Sequence, residues 1–172
     1  QQRFCFMTSA KKPIHPELTT SLYLVLALAT GLIVANLYYN QPLLDDMATT
    51  FHVSSSKVGQ VGVLTQLGYA TGMLFIAPLA DMVRRKRLIM GCLAVAILSL
   101  LATAAAPDIN LLILSSFLLG IFSLIPQLLV PMTAHLAKPA ERGSKIGFVM
   151  SGLLLGILLS RTISGFVGAH LG

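Results

Sequence analysis

Polar residues punctuate this chain in short clusters, and between them lie five long apolar runs, at about 18–39, 58–80, 88–106, 111–136 and 146–169. A helix needs roughly 20 apolar residues to cross a hydrocarbon core about 30 Å thick. Each run meets that length. The predicted fold class is therefore all-α integral membrane, with an N-terminal tail over 1–17 and five transmembrane helices within 18–172. The turns after the second and third runs are very short, so the flanking helices are antiparallel neighbours. Pro107 and Asp108 make the second of these turns. Ala27-Leu28-Ala29 has the small-x-small look of a signal-peptide cleavage site, but the first run continues to Leu37. That is too long for a signal h-region of about 7–15 residues. With Gln1 rather than Met in front, Met7 is the expected start of translation.

Composition agrees with the pattern. The 172 residues are 55% apolar and only 10% charged, with mean hydropathy +0.82. A soluble domain carries about 25% charged residues. The net charge of +6 could indicate nucleic acid or an anionic membrane. Its cations sit between apolar runs, so a lipid bilayer is the expected partner and nucleic acid is not. Arg3, Lys11 and Lys12 precede the first run; Arg84, Arg85, Lys86 and Arg87 follow the second; Lys138, Arg142 and Lys145 follow the fourth. If the five runs alternate, these ten fall on one side. The other side shows Lys57 with Asp45, Asp46 and Asp108. Basic loops stay in the cytoplasm, so the expected N-terminus is cytoplasmic and residue 172 is outside.

Catalytic and metal chemistry finds little support. Cys5 and Cys92 are far apart, and His15, His52, His135 and His170 are dispersed. No zinc or redox spacing results, and there is no phosphate loop or nucleophile elbow. No enzyme activity, cofactor or metal is expected.

Small and polar residues inside the runs are more informative. Gly152, Gly156, Ser160, Ser164 and Gly168 recur every four residues, and Gly68 and Gly72 do so in the second run. Such stripes let helix backbones approach closely in lipid. Static packing and a sliding seam between moving helices both need that smooth face, and both readings stay open. Polar groups within a span mark functional positions by default. Asn36, Tyr39 and Asn40 share one face near the outer end of the first span. Gln66 lies roughly 12 Å below the outer end of the second, and Arg161 roughly 23 Å up the fifth. Their similar depth favours a shared aqueous cavity. The alternatives are snorkelling of Arg161 to the interface and fraying of the first helix before Pro42. Gln127 sits between Pro126 and Pro131, where the prolines free backbone carbonyls. A local kink lining a cavity is expected there.

"APLADMVRRKRLIM" resembles the signature between the second and third helices of the major facilitator superfamily: spaced small residues, an acid, then a basic cluster. Asp81 matches its acid, and Arg85 and Lys86 its basic pair. Ala77 and Arg84 stand where the family usually has glycine, and Met82 where it usually has a basic residue. The outer loop "QPLLDDMATTFHVSSSKVGQVGVL", with Pro42 leaving the first helix and Ser54 as a cap, has the family's look. "ANLYYNQPLL" and "GLLLGILLSRTISG" resemble its bacterial efflux-type branch, which includes drug and arabinose exporters. The resemblance implies secondary active export of small organic molecules from a bacterial inner membrane, by alternating access. The polar positions read above, Asn36, Tyr39, Asn40, Gln66, Gln127 and Arg161, would then line its substrate cavity. The resemblance also implies an inner gate at Asp81, Arg84, Arg85 and Lys86, latched against the other half of the transporter. Members usually have twelve helices in two six-helix halves, so this chain would be the incomplete first half, without its C-terminal partner half. The family's fourth helix often carries an Arg before a Gln-Gly pair, linked to proton coupling; here Ser116 and Leu119 occupy those positions ahead of Gly120. Antiport therefore rests on family likeness alone. The other reading is a non-transporting membrane scaffold, or the product of a decayed gene, that oligomerises through the small-residue face of the fifth helix.

Overall fold

The computed structural model describes residues 20–171, apart from the side chains of Asp81 and Leu171. The expected cytoplasmic tail, 1–17, lies outside the described residues, which are helical throughout apart from turns. The elements are α1 (Thr20–Tyr38), a 3₁₀ turn (Gln41–Leu43), α2 (Leu44–Thr50), α3 (Ser55–Met82), α4 (Arg85–Ala104), α5 (Ile109–Phe122), α6 (Ile125–Leu136) and α7 (Arg142–Leu171). Five stretches are long and apolar enough to cross a membrane, with α5 and α6 together forming the fourth.

Two spans outrun their apolar stretches. α3 begins three residues before position 58, and α7 begins four before position 146. The added turns carry Ser55, Ser56 and Lys57, and Arg142, Ser144 and Lys145. A helix's hydrogen-bond ladder continues into water; the apolar count marks only the part that needs lipid. At the start of α5 the Asp108 carboxylate accepts from the Leu111 amide at 2.8 Å, which explains the sharp Pro107-Asp108 turn. Ser54 stands at the N-cap position of α3, but its hydroxyl makes no capping bond. There the Ser54 carbonyl accepts from the Lys57 and Val58 amides instead.

The fourth span is not one helix. Pro126 has no N–H to give the Phe122 carbonyl, and its ring would crowd that turn. The chain turns at Ser123 and Leu124, where the Ser123 amide reaches the Leu119 carbonyl at 3.0 Å. It restarts with Pro126 in the first turn of α6, a position that tolerates proline. Both turn residues are fully buried, so irregular backbone at membrane depth is shielded by protein. Pro131, by contrast, sits inside α6 without ending it.

Two close helix pairs organise the bundle, α3 with α5 and α1 with α7. Alternating spans make both pairs parallel. In the α1–α7 pair, a methyl group added at Gly152 would lie 2.5 Å from the Ala27 carbonyl oxygen, and one at Gly31 would lie 2.6 Å from that of Gly152. Gly156 is pressed against Gly31 in the same way. Further out, the Ser164 hydroxyl donates to the Tyr39 carbonyl, and Gly168 abuts Leu43 and Asp46. Ser160 turns its hydroxyl back to the Ile157 carbonyl at 2.9 Å. In the α3–α5 pair, Gly68 and Gly72 meet the Phe117 and Ile121 backbone, and Gly120 meets that of Thr65. α4 packs on α5, where the Thr103 hydroxyl donates to that of Ser115 at 2.9 Å.

Apolar clusters fill the spaces between these pairs. Tyr23, Leu26, Cys92, Ile125, Leu129 and Val149 form one. Val58, Val61, Ile109 and Leu112 form another beneath α2, whose Leu44, Met47 and Ala48 pack on it. The outer surface stays apolar: Leu32 is 71% and Phe75 70% exposed. Surfaces of that kind suit lipid or further helices, not water.

These seams predict where bulk is tolerated. Gly120→Val or Gly156→Val should destabilise the detergent-solubilised protein by roughly 1–3 kcal/mol, the usual cost of overpacking, with a clear fall in unfolding temperature. Gly91→Ala should leave it unchanged or slightly more stable, because nothing lies within 4 Å of the added methyl. Equal effects at the three positions would mean the close approach does not hold the pairs together.

Candidate functional site

The polar side chains within the spans separate into an outer group and a group beside the broken fourth span. At the C-terminal end of α1, Asn36 and Tyr39 line a groove of about 670 Å³ with α4 residues Ile97, Leu101 and Thr103, Leu112 of α5 and Met47 of α2. Asn40 does not join them there. It is only 5% exposed and precedes the 3₁₀ turn, where its backbone carbonyl accepts from the Leu43 amide at 3.1 Å. Its side-chain oxygen has no hydrogen-bond partner among the described residues. Gln66 is exposed on α3, next to Thr65, whose backbone meets Gly120.

One turn past the break, Gln127 donates through Nε2 to the Tyr69 hydroxyl at 2.8 Å. This bond joins α6 to α3 at membrane depth. Reading the sequence singled out Gln127 but passed over Tyr69. The signal was a tyrosine inside an apolar run, whose O–H needs a partner when shielded from water. The Thr103–Ser115 hydroxyl pair was also missed, because isolated Ser and Thr are unremarkable within a helix.

Two cations are held over aromatic faces. Near the start of α7, Lys145 Nζ lies 4.9 Å from the centre of the Tyr23 ring and 4.0 Å from the Glu141 carboxylate, one turn earlier on the chain. Further along α7, the Arg161 guanidinium lies 5.2 Å from the centre of the Tyr38 ring. Both contacts join α7 to α1, one near each end of the pair. Their electrostatics differ. Lys145 has an acid within reach. Arg161 has no ion pair among the described residues and sits about 15 Å inward from the end of α7. An arginine at the centre of a membrane helix costs about 2.5–3.5 kcal/mol on insertion scales. At an exposed site such as this one, a cation–aromatic contact recovers about 0.5–1 kcal/mol.

At the expected inner gate, Arg84 is the N-cap residue of α4, and both it and Lys86 are exposed. Arg85 is half-buried and engaged in an interaction. Asp81 belongs to α3, but its side chain lies outside the described residues. Ser116 and Leu119 are both buried in α5. Among the described residues, no three His, Cys, Asp or Glu side chains gather as a metal site would need.

Comparison with known proteins bears on this arrangement. The family described as Major Facilitator Superfamily matches residues 26–172. The putative uncharacterized transporter YgaY of Escherichia coli K12 is 48% identical over 161 residues, covering 94% of this chain and 40% of that protein. The probable transporter SCO4007 of Streptomyces coelicolor is 35% identical over 86% of this chain and 34% of its own length. A 3-(3-hydroxy-phenyl)propionate transporter of Escherichia coli K12 is 32% identical over 73% of this chain and 31% of its own. The chain thus spans about a third to two fifths of the length of these relatives. No solved structure gives a significant match.

The Gln127–Tyr69 bond generates a measurable expectation. Interhelical hydrogen bonds in membranes average about 0.6 kcal/mol, with a maximum near 1.7. A double-mutant cycle of Gln127→Leu and Tyr69→Phe, read from unfolding in detergent, should return a coupling in that range. Strict additivity would show that the two side chains do not stabilise each other.

Proposed function

Since the chain belongs to the major facilitator superfamily, we propose that it forms the N-terminal part of a secondary active transporter that exports small organic molecules from a bacterial inner membrane by alternating access. One observation carries this reading: a broken span with a polar side chain beside the break, Gln127 held by Tyr69. Discontinuous helices at membrane depth are where transporters build sites for substrates and ions. On this reading Asn36, Tyr39, Asn40, Gln66, Gln127 and Arg161 contribute to the water-filled path, and the missing C-terminal half closes it. The two parallel seams provide rigid bodies that rock as units. The 3-(3-hydroxy-phenyl)propionate transporter supplies one substrate type for comparison, an aromatic acid.

The scaffold reading loses its main support in the packing. The stripe Gly152, Gly156, Ser164 and Gly168 is already covered by α1 and the turn that follows it. A second copy would have to displace α1 to use that face.

Orientation follows from charge. The turn holding Arg84, Arg85, Lys86 and Arg87 is inside, with Arg142 and Lys145. In intact cells, Ala48→Cys in α2 should react with a membrane-impermeant thiol reagent and Glu141→Cys should not. The opposite pattern would invert the topology.

The inner gate is tested through Asp81. It lies near the C-terminal end of α3, where the helix dipole disfavours negative charge, so a partner is needed there. We propose that this partner is the missing half, in a breakable latch that holds the inner side closed. In the full-length protein reconstituted in vesicles, Asp81→Asn should slow transport about 5-fold or more, the range of a 1–3 kcal/mol coupling. It should also raise inner-side cysteine reactivity at normal protein abundance. Normal transport with unchanged reactivity would leave Asp81 paired within its own loop.

A further inference from the structure

Arg161 is the residue whose needs the described chain does not meet. It is the one cation placed well inside a candidate span, since Lys57, Arg85, Lys86, Arg87, Arg142 and Lys145 all lie within three turns of helix starts at the basic turns or the outer loop. It is exposed, and its interaction with Tyr38 is through the ring face. Asp46 is the described acid that reaches α7, but it lies beside Gly168, about 10 Å further out along the helix. Glu141 serves Lys145 at the other end. Arginine cannot relieve the mismatch by losing its proton. The Tyr38 ring, its centre 5.2 Å from the guanidinium carbon, is the group that faces it, and a ring face offers no negative charge.

From this we infer that Arg161, beside Tyr38, is the docking group for an organic monocarboxylate that the protein carries. The inference rests on the transporter reading above and names the substrate class. The planar edge of a guanidinium matches the two oxygens of a carboxylate in a bidentate pair. A single cation balances a single negative charge, which favours a monocarboxylate over a phosphate or a dicarboxylate. Ile157 and Leu158 lie one turn inward on α7, the latter 62% exposed, so the body of the ligand next to the carboxylate is apolar.

The test uses the full-length protein with four probes: benzoate, hexanoate, and their neutral amides benzamide and hexanamide. Unfolding temperature is followed as each is titrated. At least one carboxylate should raise it in the wild type, and its amide should not. Arg161→Gln should weaken that response at least tenfold, Arg161→Lys should retain part of it, and Tyr38→Leu should weaken it several-fold by removing the ring that the guanidinium lies against. Both arginine variants should elute and unfold cooperatively like the wild type, which separates lost binding from lost folding. Equal responses to acid and amide, an unaltered response in Arg161→Gln, or no carboxylate response overturns the inference and leaves Arg161 as an interfacial anchor. A stabilisation seen only when phosphatidylglycerol is added assigns Arg161 to a lipid phosphate and also overturns it. Gradient-driven flux in vesicles separates the two levels. Flux of neutral or cationic compounds with both carboxylates ignored removes the inference but keeps the transporter. Absence of gradient-driven flux for every compound removes the transporter reading itself.

Discussion

Close backbone contact at glycine holds this bundle together. In lipid, burying an apolar side chain against another helix gains little over leaving it among acyl chains, so helices associate where their backbones can approach. That requirement falls on a few positions. Gly31, Gly152 and Gly156 bring α1 onto α7, and Gly68, Gly72 and Gly120 bring α3 onto α5. At each, a single methyl group would overlap a carbonyl of the neighbouring helix. Other contacts, such as the Ser164 hydrogen bond to Tyr39 and the two cation–aromatic pairs between α1 and α7, depend on the approach that the glycines permit.

The same constraint decides what remains available for function. Stripes committed to α1–α7 and α3–α5 leave the other faces of α3, α4 and α7 apolar and outward. Those faces carry few hydrogen-bonding groups, so the polar residues that do occur stand out chemically. Within the fourth span, Pro126 removes a ladder hydrogen bond and Ser123 and Leu124 absorb the turn inside the protein. Gln127 then projects just past the break and finds Tyr69. A proline, a buried turn and one amide thereby give a nonpolar span a polar position without exposing its backbone to lipid.

Much of this was legible in the sequence because bilayer thickness, loop charge and small-residue spacing each leave a local mark. The five spans, the stripe from Gly152 to Gly168 and the special character of Gln127 could all be read from the sequence. What could not be read was pairing. Gly68 and Gly72 announce a close contact, but Gly120 looks like a lone glycine until Thr65 is seen against it. Residues of similar depth also need not share a space. Asn36 and Tyr39 line one groove, Asn40 is buried, and Arg161 is turned onto Tyr38. Depth follows from residue count and rise per residue, whereas direction around the helix depends on which neighbours pack where. Tyr69 and Tyr38 escaped notice for that reason: each matters through a partner more than 50 residues away.

Two polar positions within the spans differ in charge. Gln127 is neutral, and one of its amide N–H groups is taken up by a hydroxyl from an adjacent helix. Arg161 carries a permanent charge, and a tyrosine face compensates it only in part. The first arrangement is closed within the five helices. On the reading proposed above, the second takes its negative charge from outside them, since a fixed acid at that depth would neutralise Arg161 permanently. A carried anion would neutralise it only while bound, so the cost of the bare guanidinium would return on release. Alternating access needs such a difference between loaded and empty states, because a site equally stable in both gives the substrate no influence over the equilibrium between conformations.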